Sequence, residues 1–242
     1  MKLFVAILLI SLFLRLPETV NAQNITPRIG AQEEMATYRV TFTSTWSTAT
    51  HPGSSFPSNA HFSPLIGATH NVSATFWLSG TIASPGMEQM AELGATSILR
   101  SEIDAADVHV RETIAGPGMA TSPAQVKTPL FMVSRTHPLV TLVTMIAPSP
   151  DWFVGVHDLS LLDEQGDWQE EIIVTLYPYD AGSDDGPDYA SADIEPATPQ
   201  PIALLTGQTP FSTEPIGTFT FTRVKQIYLP LINHQATTRL ND

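Results

Sequence analysis

Residues 147–188 read APSPDWFVGVHDLSLLDEQGDWQEEIIVTLYPYDAGSDDGPD. Two apolar, strand-like runs, residues 139–147 and 172–177, each lead into an acidic loop. These loops carry the carboxylates of Asp151, Asp180 and Asp184. If the two strands lay side by side in one sheet, their end loops would meet. The segment therefore predicts a β fold with three carboxylates at one rim.

Three carboxylates in one pocket repel each other unless a cation lies between them. An all-oxygen site suits a hard cation such as Ca²⁺, which takes about six to eight oxygen ligands. Loop carbonyls and water would have to complete such a shell. Asp185 and Asp188 are alternative ligands, and the spacing is not that of an EF-hand. The competing interpretation is that aspartates beside Pro and Gly are ordinary turn residues.

Strand patterns recur along the chain. Residues 38–43 and 216–224 alternate between apolar and polar side chains, which is typical of half-buried strands. Residues 139–147 are nearly all apolar, which indicates a central strand buried on both faces. Further strands are predicted at residues 73–78, 131–133, 152–162 and 169–177, the last two joined by a turn at residues 163–167.

Helical patterns are short and local. Ser84 can cap a helix that has Pro85 in its first turn and ends at Gly94. A second short helix is predicted at residues 97–106, and nearby acidic residues are expected to lie on a solvated face: Glu102, Asp104 and Asp107. Because strands dominate, the sequence predicts an all-β fold, an antiparallel β-sandwich rather than a parallel α/β sheet.

Composition excludes several function classes. The chain has 242 residues, 43% of them hydrophobic, and a formal charge of −13. Such an acidic chain is a poor ligand for nucleic acid, because phosphate binding needs clustered Lys and Arg. The sequence contains no cysteine, which excludes disulfides, thiolate metal sites and cysteine catalysis.

The chain divides into four parts. Residues 1–22 have the basic start, apolar run and small-residue cleavage site of a secretory signal peptide, which predicts a secreted, extracellular protein. Residues 23–35 are expected to be a flexible lead-in, and residues 36–224 the domain. Residues 225–242 are a tail whose apolar segment IYLPLI is interpreted as an extra edge strand, with a docking or sorting tail as the alternative.

Several motifs resemble the conserved signature of the spondin N-terminal domain, which occurs in the extracellular-matrix proteins F-spondin and mindin. They are Pro-Ser-Pro-Asp-Trp at residues 148–152, Gly-Asp-Trp at 166–168 and Asp-Ala-Gly-Ser-Asp at 180–184, with earlier matches between residues 38 and 94. They keep the same order over residues 36–224. The absence of cysteine departs from the animal members of the family.

This resemblance implies a sandwich of about eight strands, similar to calcium-dependent membrane-targeting domains. It also implies that Asp151, Asp180 and Asp184 bind calcium. The implied function is a non-catalytic adhesion module of the cell surface or extracellular matrix. Its partner would be an extracellular protein or glycan that the sequence does not identify.

Other candidate sites have weaker support. His51, His61 and His70 lie nine and ten positions apart and match no short zinc spacing, so they are expected to make structural hydrogen bonds. The four tryptophans are expected to seat loops and core. No G-x-S-x-G elbow or HExxH motif occurs, which argues against an enzyme. Two alternatives stay open: an exported hydrolase using the acidic pocket, and calcium-dependent binding of lipid headgroups.

Overall fold

The computed structural model describes residues 34–53 and 55–225. The predicted signal peptide, most of the predicted lead-in and the apolar tail segment lie outside these residues. The lead-in was predicted to end at residue 35, but Met35 is already the first residue of a strand.

The described residues form twelve strands, two α-helices and one 3₁₀ helix. The strands are β1 (Met35–Ser44), β2 (His61–Phe62), β3 (Ile66–His70), β4 (Val110–Ala115), β5 (Gln125–Lys127), β6 (Phe131–Ser134), β7 (Leu139–Ala147), β8 (Trp152–Ser160), β9 (Glu171–Leu176), β10 (Tyr179–Asp180), β11 (Ala203–Leu204) and β12 (Gly217–Arg223). The helices are α1 (Pro85–Leu93), α2 (Ser97–Ala105) and the 3₁₀ turn Asp107–His109. Neither α-helix of this part of the chain is long and apolar enough to cross a membrane.

Two antiparallel sheets confirm the predicted β-sandwich. One sheet has the order β5-β1-β12-β9, with β6 also pairing with β1. The other has the order β11-β10-β8-β7-β3-β4, with β2 pairing with β7. Four of the twelve strands have only two or three residues, so eight longer strands form the body of the sandwich.

Aromatic side chains fill the space between the sheets. Along β1, Tyr38, Val40 and Phe42 are fully buried, as their alternation predicts. Phe42 packs edge-on against Phe219 of β12, with ring centroids 5.2 Å apart. Burial of such large apolar surfaces is the main favourable term in folding.

Strand β7 is buried on both faces because it lies between two apolar layers. Val140, Leu142 and Ile146 point into the sandwich core. The alternate residues Val143 and Met145 pack in the second cluster, which contains the apolar side of α1 and α2. This double burial explains why the sequence of β7 shows no polar alternation.

Helix α1 has the predicted boundaries. The Ser84 hydroxyl accepts a hydrogen bond from the amide of Met87, and Gly94 ends the helix in a left-handed conformation (φ 66°). Helix α2 also matches its prediction, but the expectation that Glu102 is merely solvated is wrong. Its carboxylate accepts hydrogen bonds from the Ser84 hydroxyl (2.6 Å) and the Gly86 amide (2.7 Å), so it helps to cap α1.

The predicted strand at residues 73–78 is wrong. These residues are mostly irregular, and the strand lies earlier, at β3, between β7 and β4. All five residues of β3 are buried. A Cβ at Gly67 would lie 1.9 Å from the carbonyl oxygen of Thr141, so the close approach of β7 requires glycine there. Because glycine is depleted in strands, the sequence of this segment did not predict one.

The expected pairing of the strands before the two acidic loops is also wrong. Strand β7 belongs to the seven-stranded sheet, whereas β9 is the edge strand of the other sheet. Pairing of β7 with β9 therefore does not bring the acidic loops together. The short strand β10 does so instead, because it crosses from the end of β9 to pair with β8.

Candidate metal centre at the acidic rim

The two acidic loops meet through backbone pairing. In the β8–β10 register, Asp180 lies opposite Trp152, the residue that follows Asp151. The amide of Ala181 donates a hydrogen bond to the carbonyl oxygen of Asp151 at 3.2 Å. Residues separated by 29 positions in the sequence thus become neighbours at one end of the seven-stranded sheet.

Asp151 is completely buried, and in the described residues only one of its two carboxylate oxygens accepts hydrogen bonds. Its Oδ2 accepts hydrogen bonds from the Ser183 amide (2.8 Å), the Ser183 hydroxyl (3.3 Å) and the Asp184 amide (3.1 Å). Its Oδ1 is also buried, yet within residues 34–53 and 55–225 it has no hydrogen-bond partner. We call this atom the open oxygen of Asp151. A buried polar atom without a partner is costly, which makes it a candidate for binding something else.

Burial and neighbouring charge oppose ionisation of this carboxyl group. Burial, reinforced by the Asp180 charge, raises the pKa of Asp151 from 3.8 to about 7. Burial also raises the pKa of Asp180, while hydrogen bonds from the Gly182 amide and the Trp152 side chain oppose that rise. The two carboxylates are therefore close enough to repel each other through a poorly solvated environment.

Asp184 completes the set from the loop that follows β10. It is 8% exposed, and its Oδ1 accepts hydrogen bonds from the amides of Gly186 (2.8 Å) and Ile194 (3.0 Å). The loop approaches closely at Gly182, where φ is +74° and a Cβ would lie 2.1 Å from the carbonyl oxygen of Gln200. Glycine at this position lets residues 183–184 reach Asp151.

A cluster of four buried aromatic rings packs beside the acidic loops. The Tyr189 ring contacts Trp152 at a centroid distance of 5.3 Å, Trp46 at 5.6 Å and Phe211 at 5.7 Å. All four rings are buried. Together with the buried Trp77 and Trp168, this confirms that the tryptophans seat loops and core.

A second acidic feature beside the loops was not predicted from the sequence. Glu88 and Glu92 of α1 line a cavity of about 260 Å³ with Ser183, Asp193 and Glu195. Burial raises the pKa of Glu92, while a hydrogen bond with the Ser183 side chain opposes the rise. Two glutamates four positions apart on one helix face repel each other, and that spacing was the available signal.

The alternative ligands and the histidines make other contacts, although the charge of Asp185 also helps to raise the pKa of Asp180. Asp185 is exposed, and Asp188 uses Oδ1 to accept a hydrogen bond from the Tyr189 amide. His51, His61 and His70 each have a ring nitrogen near a hydroxyl or carbonyl oxygen, at 3.0, 2.7 and 2.9 Å. No group of three or more His, Asp or Glu side chains in the described ranges is gathered tightly enough to form a ready metal cage.

The molecule is thus a β-sandwich domain with acidic loops and a cluster of buried aromatic rings at one rim. A family model described as Spondin_N matches residues 36–227. Spondin-2 from Homo sapiens is 35% identical over 199 residues, covering 80% of this chain and 59% of that relative. Spondin-1 from Mus musculus is 36% identical over 171 residues, covering 68% of this chain and 21% of that relative.

The chain therefore belongs to the spondin N-terminal domain family, as its motifs predicted. It spans about three fifths of the length of Spondin-2 and about one fifth of that of Spondin-1.

Proposed function

We propose that this chain is a secreted, non-catalytic, calcium-binding module that attaches to an extracellular protein or glycan. The single observation that carries the proposal is the open oxygen of Asp151. A buried carboxylate oxygen beside two further carboxylates is a donor set that suits a hard divalent cation. Membership of the spondin family supports the extracellular, adhesive role.

Asp151, Asp180 and Asp184 would hold the ion. Burial, together with neighbouring carboxylate charge, raises the pKa values of Asp151 and Asp180, and bound calcium would offset both costs of ionisation. In the described residues the three carboxylates are not yet gathered into a cage, so binding requires their side chains to draw together. Asp180 and Asp184 each have one oxygen that accepts loop amide hydrogen bonds, which anchors the side chains while the loop adjusts.

Thermal unfolding with and without calcium tests the site. We expect millimolar calcium to raise the melting temperature by about 5–10 °C, the effect of a ligand near a hundredfold excess over its Kd. Asp151→Asn and Asp180→Asn should each remove most of this shift. An unchanged melting curve for the unmodified protein would contradict the proposal.

Asp163→Asn is a matched control for these variants. The Asp163 carboxylate also accepts two loop amide hydrogen bonds, from Gln165 (3.0 Å) and Asp167 (2.8 Å), but in the β8–β9 turn. It makes the same change of charge in a similar turn. The calcium shift should be retained in this variant, and its loss would indicate a general charge effect instead of a site.

A second candidate function, calcium-bridged binding to lipid headgroups, is favoured by two exposed apolar side chains beside the acidic cavity. Leu93 is 67% exposed and follows Glu92, and Ile194 is 47% exposed between Asp193 and Glu195. Co-sedimentation with phosphatidylserine vesicles, in calcium or in chelator, separates the two functions. Calcium-dependent pelleting that is lost in Leu93→Ser would favour the lipid, and its absence would favour a protein or glycan partner.

A further inference from the structure

A groove with both apolar and basic side chains lies at the end of the five-stranded sheet that is remote from the acidic rim. In the β1–β12–β9 ladder, Ser44, Gly217 and Leu176 align at the end from which the chain continues to the acidic loops. Met35 and Arg223 are at the other end. There a groove of about 640 Å³ is lined by residues 35–37 of β1, Met132 of β6 and residues 223–225.

The groove is lined by two large apolar side chains that remain partly exposed to solvent. Met35 is 45% exposed and Met132 is 42% exposed. In the β1–β6 register, Met132 pairs with Thr37, two residues along the strand from Met35. The guanidinium of Arg111 lies 2.8 Å from the Met35 sulfur. Unbranched methionine side chains adapt readily to the shape of an apolar partner.

The chain itself leads into this groove. After β12 the backbone stays against β1, because the Val224 amide donates a hydrogen bond to the carbonyl oxygen of Thr37 at 2.7 Å. Lys225, the last described residue, lines the groove, and its Nζ is 3.1 Å from a carboxylate oxygen of Glu170. Arg223 contacts the same carboxylate at 3.3 Å. The exit of the strand is thus directed at the groove.

The sequence that follows has the composition to fill it. Residues 227–232 read IYLPLI, and they begin two positions after Lys225. Residues 233–242 are mostly polar. Since an extended residue spans at most about 3.6 Å, the apolar segment reaches the groove without any linker. The short tether also gives it an effective local concentration in roughly the millimolar range.

We propose that residues 227–232 pack into this groove and cover Met35 and Met132. The segment is then an intramolecular cover for the end of the sandwich remote from the acidic loops. Pro230 has no amide hydrogen to donate, which suits a segment that packs through its side chains or lies at a sheet edge. The occupant is this segment of the same molecule and not a second copy of the chain.

Engineered disulfides test the proposal with little background, because the natural sequence contains no cysteine. Met132→Cys is combined, in the full-length chain, with a cysteine at Ile227, Leu229 or Leu231, three positions that share one side of an extended segment. A disulfide forms only if the two Cα atoms approach within about 7 Å. The control pairs the same tail cysteines with Ile173→Cys, which is 62% exposed on β9 at the far edge of the sheet.

The expected result is an intramolecular disulfide in at least one Met132→Cys pair and in none of the Ile173→Cys pairs. Equal cross-linking in both series would mean that the segment is not held in the groove. Covalent dimers alone would place a second copy there. Either result, or the absence of any cross-link, would overturn the proposal.

Thermal unfolding gives an independent readout. Leu229→Asp with Leu231→Asp should lower the melting temperature by about 4 °C or more, because the apolar cover is lost. The matched control is Thr237→Asp with Thr238→Asp in the polar end of the tail, which should leave it unchanged. Equal melting temperatures for the two double variants would count against the docking.

Discussion

Asp151 and His70 are both completely buried titratable residues, but their surroundings differ in one decisive respect. His70 lies in β3, where its Nδ1 is 2.9 Å from the Asn71 carbonyl oxygen and its Nε2 is 2.9 Å from the Thr141 hydroxyl. Both ring nitrogens therefore have a hydrogen-bonding partner. Asp151 has three donors on Oδ2 and, in the described part of the chain, none on Oδ1.

The difference separates a structural residue from a candidate binding residue. Burial lowers the pKa of His70, so the ring stays neutral and its two contacts complete it. Burial raises the pKa of Asp151, and its open oxygen needs either a proton or a cation from outside. Both side chains are equally buried, but each His70 ring nitrogen has a partner, whereas one Asp151 oxygen has none in the described residues. We therefore expect a ligand at Asp151 and none at His70. This contrast can be tested by substitution, by pH and by calcium.

The largest expected effect is a loss of stability with rising pH in the calcium-free protein. The pKa of Asp151 is raised from 3.8 to about 7, so between these values the folded state binds more protons than the unfolded state. Stability then falls as pH rises through that range, by an amount of the order of 4 kcal/mol. Urea unfolding at a series of pH values measures it.

The lowered pKa of His70 has the opposite effect and makes stability rise with pH. As the pH falls, this histidine binds a proton in the unfolded state before it does so in the folded state. Comparison with Asp151→Asn isolates the aspartate contribution, since the variant keeps every histidine. Parallel pH profiles for the two proteins would show that Asp151 does not titrate abnormally.

Removal of the satisfied residue should be costly but independent of calcium. His70→Ala leaves the Thr141 hydroxyl and the Asn71 carbonyl without this partner and opens a cavity beside Phe76, whose ring is 5.5 Å from that of His70. We expect a loss of about 2–4 kcal/mol in the free energy of unfolding. The calcium-induced shift in melting temperature should be retained, and its disappearance would break the contrast.

Calcium affinity should depend on pH around neutrality. Because a bound cation must displace the proton of Asp151, the apparent Kd should rise about tenfold for each pH unit below 7. Calorimetric titration at pH 5.5, 6.5 and 7.5 measures the change. A Kd that stays constant across this range would mean that Asp151 does not bind the ion.

The smallest expected effect concerns Ser183, which supplies both an amide and a hydroxyl to Asp151. Of the two contacts with Asp151, Ser183→Ala removes the longer, at 3.3 Å, and keeps the amide at 2.8 Å. The substitution also removes the side-chain hydrogen bond with Glu92. We expect a loss of about 0.5–1 kcal/mol in stability and a change of less than about threefold in calcium affinity, equivalent to less than about 0.7 kcal/mol. A larger loss of affinity would mean that the hydroxyl itself is a ligand.

Alternation and capping were enough to predict much of the fold. The inward residues of β1 and β12, the double burial of β7 and the caps of α1 follow directly from local sequence patterns. Strand β3 could not be predicted in this way. Its Gly67 is required by the backbone of β7, a contact that depends on residues more than 70 positions away.

The candidate site shows the same division. The motifs selected Asp151, Asp180 and Asp184, and the structure brings their loops together, but by β10 pairing with β8 and not by pairing of the preceding strands. A strand of two residues has no periodicity to detect. The open oxygen of Asp151 likewise depends on which loop amides reach the carboxylate, and only the folded chain defines that.

A crystal structure of the full chain grown with calcium tests the central claim most directly. We predict a strong electron-density peak about 2.3–2.6 Å from the open oxygen of Asp151, with oxygens of Asp180 and Asp184 in the same coordination shell. This prediction would be contradicted by an Asp151 side chain without calcium, or by Asp151 and Asp180 carboxyl groups more than about 10 Å apart, too far for joint coordination at those distances.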